Sequence, residues 1–305
     1  MTLLHWTLPL PAGYRRDDVI AFHSRDTEAV AEQLTPAGLR KGILLAGVPV
    51  VLDVAFTPDA AICQADIDGD GDADLETPLH GALLNILGLR IDPQPFALLA
   101  AADPLLAPLV RVNPGLRIVQ SASPFEALTW AIIGQQINLP FAIALRRTFI
   151  LQAGRRHGSG LWCYPEARDV ARLSIEDLTS RKFSRAKAET VLRLARLVDD
   201  GELSLDLPPS GDVAAMSQAL LAVKGIGPWT VNYALLRGYG YADCSLHGDV
   251  AIRAALQKLL GEDVKPDMAR TEQWLRQYAP HRTMAAAHLW ASLHAPAKNN
   301  PPAVE

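Results

Sequence analysis

The segment VKGIGPWTVNY, residues 223–233, has two glycines separated by one residue and followed by a proline. Glycines permit a tight turn and a close approach of the backbone to a ligand, and proline suits the first position of a helix. A dinucleotide-binding loop would need a third glycine and a preceding strand. Thr230 occupies the place of that glycine, and residues 214–223, AAMSQALLAV, have a helical pattern. The segment therefore predicts two helices joined by a glycine turn and excludes a nucleotide-cofactor loop.

Two functions are open to this turn on its own sequence. Its backbone N–H groups have no side chains in front of them, and the second helix adds partial positive charge at its N-terminus, so the turn can hold a phosphate of a DNA backbone without reading the base sequence. Alternatively, it is an ordinary packed turn between two helices, which is a common motif. Asp212 is expected to cap the first helix.

A carboxylate that follows in the chain favours the first of these functions. Asp249 precedes the predicted helix VAIRAAL, so one role for it is to cap that helix. Only one helix and a loop separate it from the glycine turn, which can bring the carboxylate back beside the turn. Trp229 and Tyr233 are four residues apart and therefore share a helix face. A carboxylate, stacked aromatic rings and a phosphate-binding turn are what the removal of a flipped-out base requires.

The N-terminal part predicts a small antiparallel sheet. GILLAGVPVVLDVAFTP (42–58) and AAICQADI (60–67) have the composition of strands, whereas RDTEAVAEQLT (25–35) predicts a short helix. We expect these elements to form a sheet with helices on one face.

The rest of the chain predicts helices. Ser123, followed by Pro124 and Glu126, marks a helix start, and apolar residues then recur at helical spacing. The predicted fold class is α+β, with three segments: an N-terminal domain of residues 1–89, an all-helical core of residues 90–295 with its helix-hairpin-helix at 213–237, and a flexible tail of residues 296–305.

Composition permits a DNA partner and argues against a membrane. The 305 residues have a formal net charge of −4, but residues 1–110 hold 6 basic and 15 acidic side chains, while residues 111–305 hold 23 and 18. Residues 111–305 are therefore mildly basic and can bind a polyanion even though residues 1–110 are acidic. The longest apolar run contains Asp53 and is too short to cross a bilayer, and the N-terminus does not resemble a secretory signal, so we expect a cytoplasmic protein.

The three cysteines, Cys63, Cys163 and Cys244, are too few and too far apart for a disulfide framework or an iron–sulfur cluster. Without a coiled-coil pattern in the sequence, we expect a monomer.

Residues 220–253, LLAVKGIGPWTVNYALLRGYGYADCSLHGDVAIR, resemble the helix-hairpin-helix-Gly-Pro-Asp superfamily of DNA glycosylases, and within it the bacterial DNA-3-methyladenine glycosylase II type. The resemblance extends over nearly the whole chain, through SPFEALTWAIIGQQIN, CYPEARDVARL, SRAKAETVLRLARLVDDG and HRTMAAAHLWASL. VIAFHSRDTEAVAE resembles the small N-terminal domain of that family.

The resemblance implies roles for individual residues. Asp249 matches the essential aspartate, Trp229 and Tyr233 match aromatic residues of the base pocket, and Phe22 matches an aromatic residue that the small domain contributes. Members that also cut the DNA backbone have a lysine nucleophile where this chain has Trp229, and tryptophan cannot form a Schiff base. The resemblance therefore implies hydrolysis alone, with no cofactor required.

Three further positions differ from the family pattern, and the resemblance also implies DNA contacts and a cation site. Val250 replaces a frequent aromatic residue, His281 stands where a pocket tryptophan is often found, and Gln136 replaces the apolar residue that fills the gap left by the flipped nucleotide. Contacts with DNA are expected from Gln136 and from the hairpin, namely Lys224, Gly225, Ile226, Gly227 and Thr230. The resemblance also implies a monovalent cation, Na⁺ or K⁺, on the backbone carbonyls of Leu221, Val223 and Ile226.

The expected function is excision of alkylated bases, chiefly 3-methyladenine and other N-methylated purines, from double-stranded DNA. Two alternatives remain: a non-catalytic DNA-binding module that uses the hairpin only to hold phosphates, and a glycosylase for deaminated or oxidised bases. Asp249 with Trp229 and Tyr233 favours an enzyme over the module, whereas Val250 and His281 keep the choice of base open.

Overall fold

The computed structural model describes residues 2–69, 74–207 and 212–293, so the predicted tail at 296–305 lies outside the described residues. The chain forms two compact units, one of residues 1–92 with 117–241 and the other of residues 93–116 with 242–305. The first unit contains the N-terminal sheet together with the hairpin. These units cut across the predicted segments 1–89 and 90–295, and that domain division stays a prediction.

The sheet of the first unit is antiparallel throughout, with the order β1-β5-β4-β3-β2, and a second sheet pairs β6 with β7. The strands are β1 (Thr2–Pro9), β2 (Glu32–Leu34), β3 (Gly38–Leu45), β4 (Val48–Phe56), β5 (Ala60–Ile67), β6 (Arg155–Arg156) and β7 (Trp162–Cys163).

Helices make up most of the remaining structure, which agrees with the predicted α+β fold class. They are α1 (Arg16–His23), α2 (Glu76–Ile86), α3 (Gln94–Ala100), α4 (Leu106–Val112), α5 (Pro124–Gly134), α6 (Leu139–Ala153), α7 (Ala167–Ala171), α8 (Ile175–Thr179), α9 (Arg185–Asp199), α10 (Val213–Leu221), α11 (Pro228–Gly238), α12 (Val250–Leu260), α13 (Met268–Arg276) and α14 (Arg282–Ser292). The start of α5 is confirmed, since the Ser123 hydroxyl accepts a hydrogen bond from the Glu126 N–H at 3.1 Å.

The five-stranded sheet has its core between one of its faces and helix α2. Alternate residues of β4 and β5 are buried, including Leu52, Val54 and Cys63, and they pack against Leu79 and Leu83 of α2. Burial also raises the pKa of all three cysteine thiols to about 12, which keeps them protonated near neutral pH.

The predicted helix at residues 25–35 is wrong. Residues 32–34 form strand β2, which pairs with β3 in the register Glu32 to Lys41, and the N-terminal helix instead spans residues 16–23. The spacing of alanines and leucine over 25–35 suits a helix, but strand pairing brings Glu32 to the buried Lys41, and that tertiary interaction prevails over local pattern.

A buried network of charges joins the sheet to the helices of the same unit. Lys41 is fully buried, and its Nζ lies 2.6 Å from Glu32 and 2.8 Å from Glu126. Arg146 of α6 lies 2.8 Å from each of the same two carboxylates. Burial alone would raise the pKa of both glutamates, but the two cations outweigh it and hold both pKa values below their usual range.

The second unit packs α14 against α4, α12 and α13. Phe96 of α3 stacks on His288 of α14, with ring centroids 5.5 Å apart, and the Tyr278 hydroxyl donates to Asp103 at 2.7 Å. Across the described residues of both units, none of the helices is long and apolar enough to span a bilayer.

Candidate functional site

The helix-hairpin-helix predicted at 213–237 is formed by α10 and α11 of the first unit. Asp212 caps α10, because its carboxylate accepts from the N–H groups of Ala214 and Ala215 at 3.0 Å, and Pro228 is the first residue of α11. Between the helices, Gly225 has a φ of +100°, and a Cβ there would collide with the side chain of Thr190. Glycine is required at this position by both conformation and space.

The glycine turn has backbone donors that suit an anion. Among the described residues, the N–H groups of Gly225 and Gly227 have no hydrogen-bond acceptor, whereas the N–H of Ile226 donates to the Val223 carbonyl at 3.0 Å. The two glycine amides lie next to the N-terminus of α11, where the helix dipole adds partial positive charge. They are therefore better placed to bind a phosphate than the amide of Ile226.

Two side chains of the hairpin differ in their exposure. Lys224 is exposed, and its carbonyl accepts a hydrogen bond from Arg193 at 2.9 Å. Thr230 is only 2% exposed, and its hydroxyl accepts from Gln135 at 3.1 Å. A DNA contact of Lys224 would use its ammonium group, whereas a contact of Thr230 would have to come from the backbone.

The turn between α5 and α6 presents Gln136 to solvent. Gln136 is exposed and has a φ of 55°. The preceding Gln135 donates to the Gly225 carbonyl at 3.3 Å as well as to Thr230, so this turn is tied to the hairpin. Lys187 of α9 fixes the turn from the other side, donating to the carbonyls of Ile133 at 2.6 Å and Gln135 at 2.7 Å.

An aromatic cluster lies in the same unit and consists of Trp130, Trp229 and Tyr233 together with Phe22, which is joined to them through Arg25. The rings of Trp229 and Tyr233 are 5.2 Å apart between centroids and tilted by 31°, as their four-residue spacing predicts. Trp130 of α5 packs beside them and donates from Nε1 to the Tyr233 hydroxyl at 2.8 Å. Phe22 is half-buried, and the guanidinium carbon of Arg25 lies 3.9 Å from its ring centroid and 5.1 Å from that of Trp130.

Asp249, in the second unit, caps helix α12 as its sequence position predicted. Its Oδ1 accepts from the N–H groups of Ala251 at 2.9 Å and Ile252 at 3.0 Å, and from the indole Nε1 of Trp290 at 3.2 Å. An ionised carboxylate accepts hydrogen bonds only, and each of these three groups is a donor. The capping geometry and Trp290 therefore hold a negatively charged group in a fixed orientation.

Two further positions that the sequence singled out, His281 and Val250, lie in the second unit. His281 is half-buried and directly precedes α14, with its N–H donating to the Tyr278 carbonyl at 2.6 Å. Val250 is 64% exposed, although it opens helix α12 beside Asp249. An exposed valine contributes no ring for stacking, so the departure from the family pattern at this position removes an aromatic surface.

The hairpin carbonyls fit a monovalent cation. In the described ranges, no group of three or more His, Cys, Asp or Glu side chains is arranged to hold a metal ion. The carbonyls of Leu221 and Ile226 accept no hydrogen bond within those ranges, while that of Val223 accepts one from Ile226. Neutral backbone oxygens of this kind suit a hard cation such as Na⁺ or K⁺.

Comparison with known proteins identifies the family. No protein-family model matches the chain. Over 206 residues the chain is 32% identical to the DNA-3-methyladenine glycosylase of Bacillus subtilis, covering 67% of this chain and 68% of that protein. This chain belongs to the DNA-3-methyladenine glycosylase family. DNA-3-methyladenine glycosylase 2 of Escherichia coli is 29% identical over 303 residues, which are 95% of this chain and 96% of that protein.

A solved structure supports the fold of this family member. The 3-methyladenine DNA-glycosylase of Archaeoglobus fulgidus superposes with a TM-score of 0.77 over 95% of this chain and 99% of that one, at 19% sequence identity. The predicted resemblance and fold class are confirmed.

Several residues around these groups were not singled out from the sequence. Trp130, Arg25, Trp290 and Gln135 each contact a predicted site residue directly. Arg25 lies two residues beyond the end of α1, so helical spacing does not connect it with Phe22. Trp130 and Trp290 are distant in sequence from Tyr233 and Asp249, and only the tertiary structure pairs them.

Proposed function

We propose that this protein is a monofunctional DNA glycosylase. It flips alkylated bases, chiefly 3-methyladenine and other N-methylated purines, out of double-stranded DNA and hydrolyses the N-glycosidic bond, leaving an abasic site for base excision repair. The observation that carries the proposal is the fixed carboxylate of Asp249, held by two backbone amides and the Trp290 indole in a chain of this family.

Asp249 acts on the sugar of the flipped nucleotide. As the bond between C1′ and the base nitrogen breaks, its electron pair leaves with the base and positive charge develops on the sugar ring. The carboxylate of Asp249 stabilises that cation electrostatically. Water then adds to C1′ and releases a proton, which completes the hydrolysis. An N-methylated purine departs readily, because a cationic base becomes neutral on leaving.

The aromatic cluster binds the flipped base. Phe22, Trp130, Trp229 and Tyr233 offer ring faces and edges for stacking, and electron-poor methylated bases stack well on electron-rich rings. The bond from Trp130 to Tyr233 fixes the orientation of the tyrosine ring. Because Trp229 provides no amine, the reaction ends with hydrolysis and leaves the DNA backbone uncut.

The hairpin and the Gln136 turn bind DNA. The amides of Gly225 and Gly227, the start of α11 and the ammonium group of Lys224 hold backbone phosphates without sequence preference. Gln136 fills the space left by the flipped nucleotide and hydrogen-bonds the orphan base. A Na⁺ or K⁺ ion on the carbonyls of Leu221, Val223 and Ile226 would supply further positive charge to the phosphate site.

We also propose that the enzyme acts as a monomer. A single chain carries Asp249, the aromatic cluster and the hairpin, so the reaction needs no second copy. Its substrate would be chromosomal DNA, which places its work in the bacterial cytoplasm.

The test compares the wild type with Asp249→Asn in the release of 3-methyladenine from methylated duplex DNA. Asparagine caps helices as well as aspartate does, so this variant removes the charge and keeps the fold. We expect release to fall by at least about a hundredfold, with the melting temperature nearly unchanged. Equal release by both proteins would refute the catalytic role. DNA binding without release by the wild type would support the non-catalytic module instead, and release of only oxidised or deaminated bases would support the other alternative.

A further inference from the structure

A positively charged side chain lies among the rings of the aromatic cluster. The Arg25 guanidinium stacks on Phe22 at 3.9 Å and reaches Trp130 at 5.1 Å, and its Nε donates to the Phe22 carbonyl at 2.8 Å. Among the described residues, its two terminal nitrogens have neither a hydrogen-bond acceptor nor an ion-pair partner. Arg25 is half-buried, and burial lowers its pKa, although an arginine stays charged in the physiological range.

The neighbouring charges do not cancel that of Arg25. Glu32 and Glu126 are acids whose charges act on Arg25, and each is already paired with both Lys41 and Arg146 at 2.6–2.8 Å. Those two acids and two bases balance one another. Arg237 adds another cation, since its guanidinium carbon lies 4.9 Å from the Phe22 ring. The aromatic cluster therefore has a net positive environment.

We propose that Arg25 is a specificity-determining residue that stabilises the departing base and raises the activity on neutral bases relative to cationic ones. The inference rests on the proposed function, in which the aromatic cluster holds the base. When the C1′–N bond breaks, both of its electrons stay with the base, whose charge becomes more negative by one unit. A fixed cation beside the base favours that change, just as Asp249 favours the positive charge left on the sugar.

The effect differs between two kinds of base. A neutral base such as hypoxanthine leaves as an anion, so Arg25 acts mainly in the transition state and raises the rate of cleavage. A cationic base such as 7-methylguanine leaves neutral. Arg25 then repels the bound cationic base, and this repulsion disappears as the base becomes neutral during cleavage. Arg25 therefore weakens binding of the substrate and also speeds its cleavage. Loss of the Arg25 charge should therefore change the ratio of activities on the two bases.

The experiment measures single-turnover release of hypoxanthine and of 7-methylguanine from duplex DNA over a range of enzyme concentrations. Three variants are compared with the wild type: Arg25→Gln, Arg25→Lys and the control Arg156→Gln. Arg156 is exposed and stacks on Trp162 at 5.3 Å, so its replacement removes the same net charge and a similar stacking contact. Melting temperatures establish that each variant is folded.

We expect Arg25→Gln to release hypoxanthine at least about tenfold more slowly at saturation. With 7-methylguanine as substrate, Arg25→Gln should have both a lower rate at saturation and a lower half-saturating enzyme concentration, so that the ratio of the two stays nearly constant. Arg25→Lys, which keeps a charge, should recover much of the hypoxanthine rate, and Arg156→Gln should behave as the wild type. An equal fall for both bases in the ratio of the saturating rate to the half-saturating concentration, or no fall of that ratio for hypoxanthine, would overturn the role of Arg25 while leaving the proposed function intact. A wild type that releases no base of any kind would refute the proposed function itself, and this inference with it.

Discussion

Replacement of Lys41 by methionine should destabilise the protein strongly at neutral pH. The side chain is fully buried, and its ammonium group is within 2.8 Å of two carboxylates. Methionine has a similar length but no charge, so Glu32 and Glu126 would share only Arg146 and one negative charge would stay buried without compensation. Removing one partner of a buried ion pair usually costs about 3–5 kcal/mol, and we expect a loss in that range.

The loss should depend on pH with a definite sign. Both glutamates have pKa values below their usual range in the folded protein, so they contribute stability above the unfolded-state pKa of about 4.3 and lose it as the pH falls toward their folded pKa values. The Lys41→Met variant lacks much of this contribution. The difference between the two proteins in free energy of unfolding should therefore narrow as the pH falls below about 4.5.

Urea unfolding at pH 7 and pH 4, followed by tryptophan fluorescence, measures this difference. A second variant, Lys41→Met with Glu126→Gln, removes one charge of each sign and should recover more than half of the loss, because Glu32 and Arg146 still form a balanced pair. The control is Arg185→Met, which removes an exposed pair with Glu189 and should change stability by less than about 0.5 kcal/mol. A loss under about 1 kcal/mol for Lys41→Met, or strictly additive effects in the double variant, would refute the argument.

Two further predictions concern the hairpin and the aromatic cluster. Gly225→Ala should destabilise the fold and weaken binding to undamaged duplex DNA, measured by fluorescence anisotropy, because the φ of +100° and the side chain of Thr190 both exclude a side chain at this position. Gly134→Ala is the control, since nothing lies within 4 Å of the added methyl group. Equal DNA affinity of the two variants would contradict the prediction. Tyr233→Phe should lower the free energy of unfolding by about 1–2 kcal/mol, because it leaves the Trp130 N–H without its acceptor. The same Tyr233→Phe change should cost less in a Trp130→Phe background, where that N–H is absent. An equal loss in both backgrounds would show that the hydrogen bond is not the cause.

Local signals in the sequence predicted the parts of the structure that depend on a few adjacent residues. The glycine turn at Gly225, the helix starts at Ser123 and Pro228, and the capping position of Asp249 all follow from backbone conformation and from hydrogen bonds within one turn of a helix. Each was confirmed by the structure. The strands within residues 42–58 and 60–67 were likewise predicted by short apolar runs between turn residues, whereas β1 and β2 were not.

Local sequence signals did not predict contacts between residues that are far apart in the sequence. Lys41 lies in a strand and resembles an ordinary exposed lysine in sequence, yet its partner Glu126 is 85 residues away. The same network accounts for the error at residues 25–35, where strand pairing at Glu32 prevails over helical spacing. Arg25 was passed over for a related reason, because only the tertiary structure shows that it lies on Phe22 and Trp130 and that no acid of the described ranges pairs with it.

Gln135 ties the turn that carries Gln136 to the glycine hairpin before any DNA arrives, and Lys187 ties the same turn to α9. These hydrogen bonds hold the glycine hairpin and Gln136 at a spacing that is set by the protein. The duplex must then supply the deformation. Base steps that stack weakly bend and open at lower energy than intact ones, and alkylation or mispairing weakens stacking. The local deformability of the DNA would therefore determine where the enzyme pauses, before it contacts any chemical group of the damaged base.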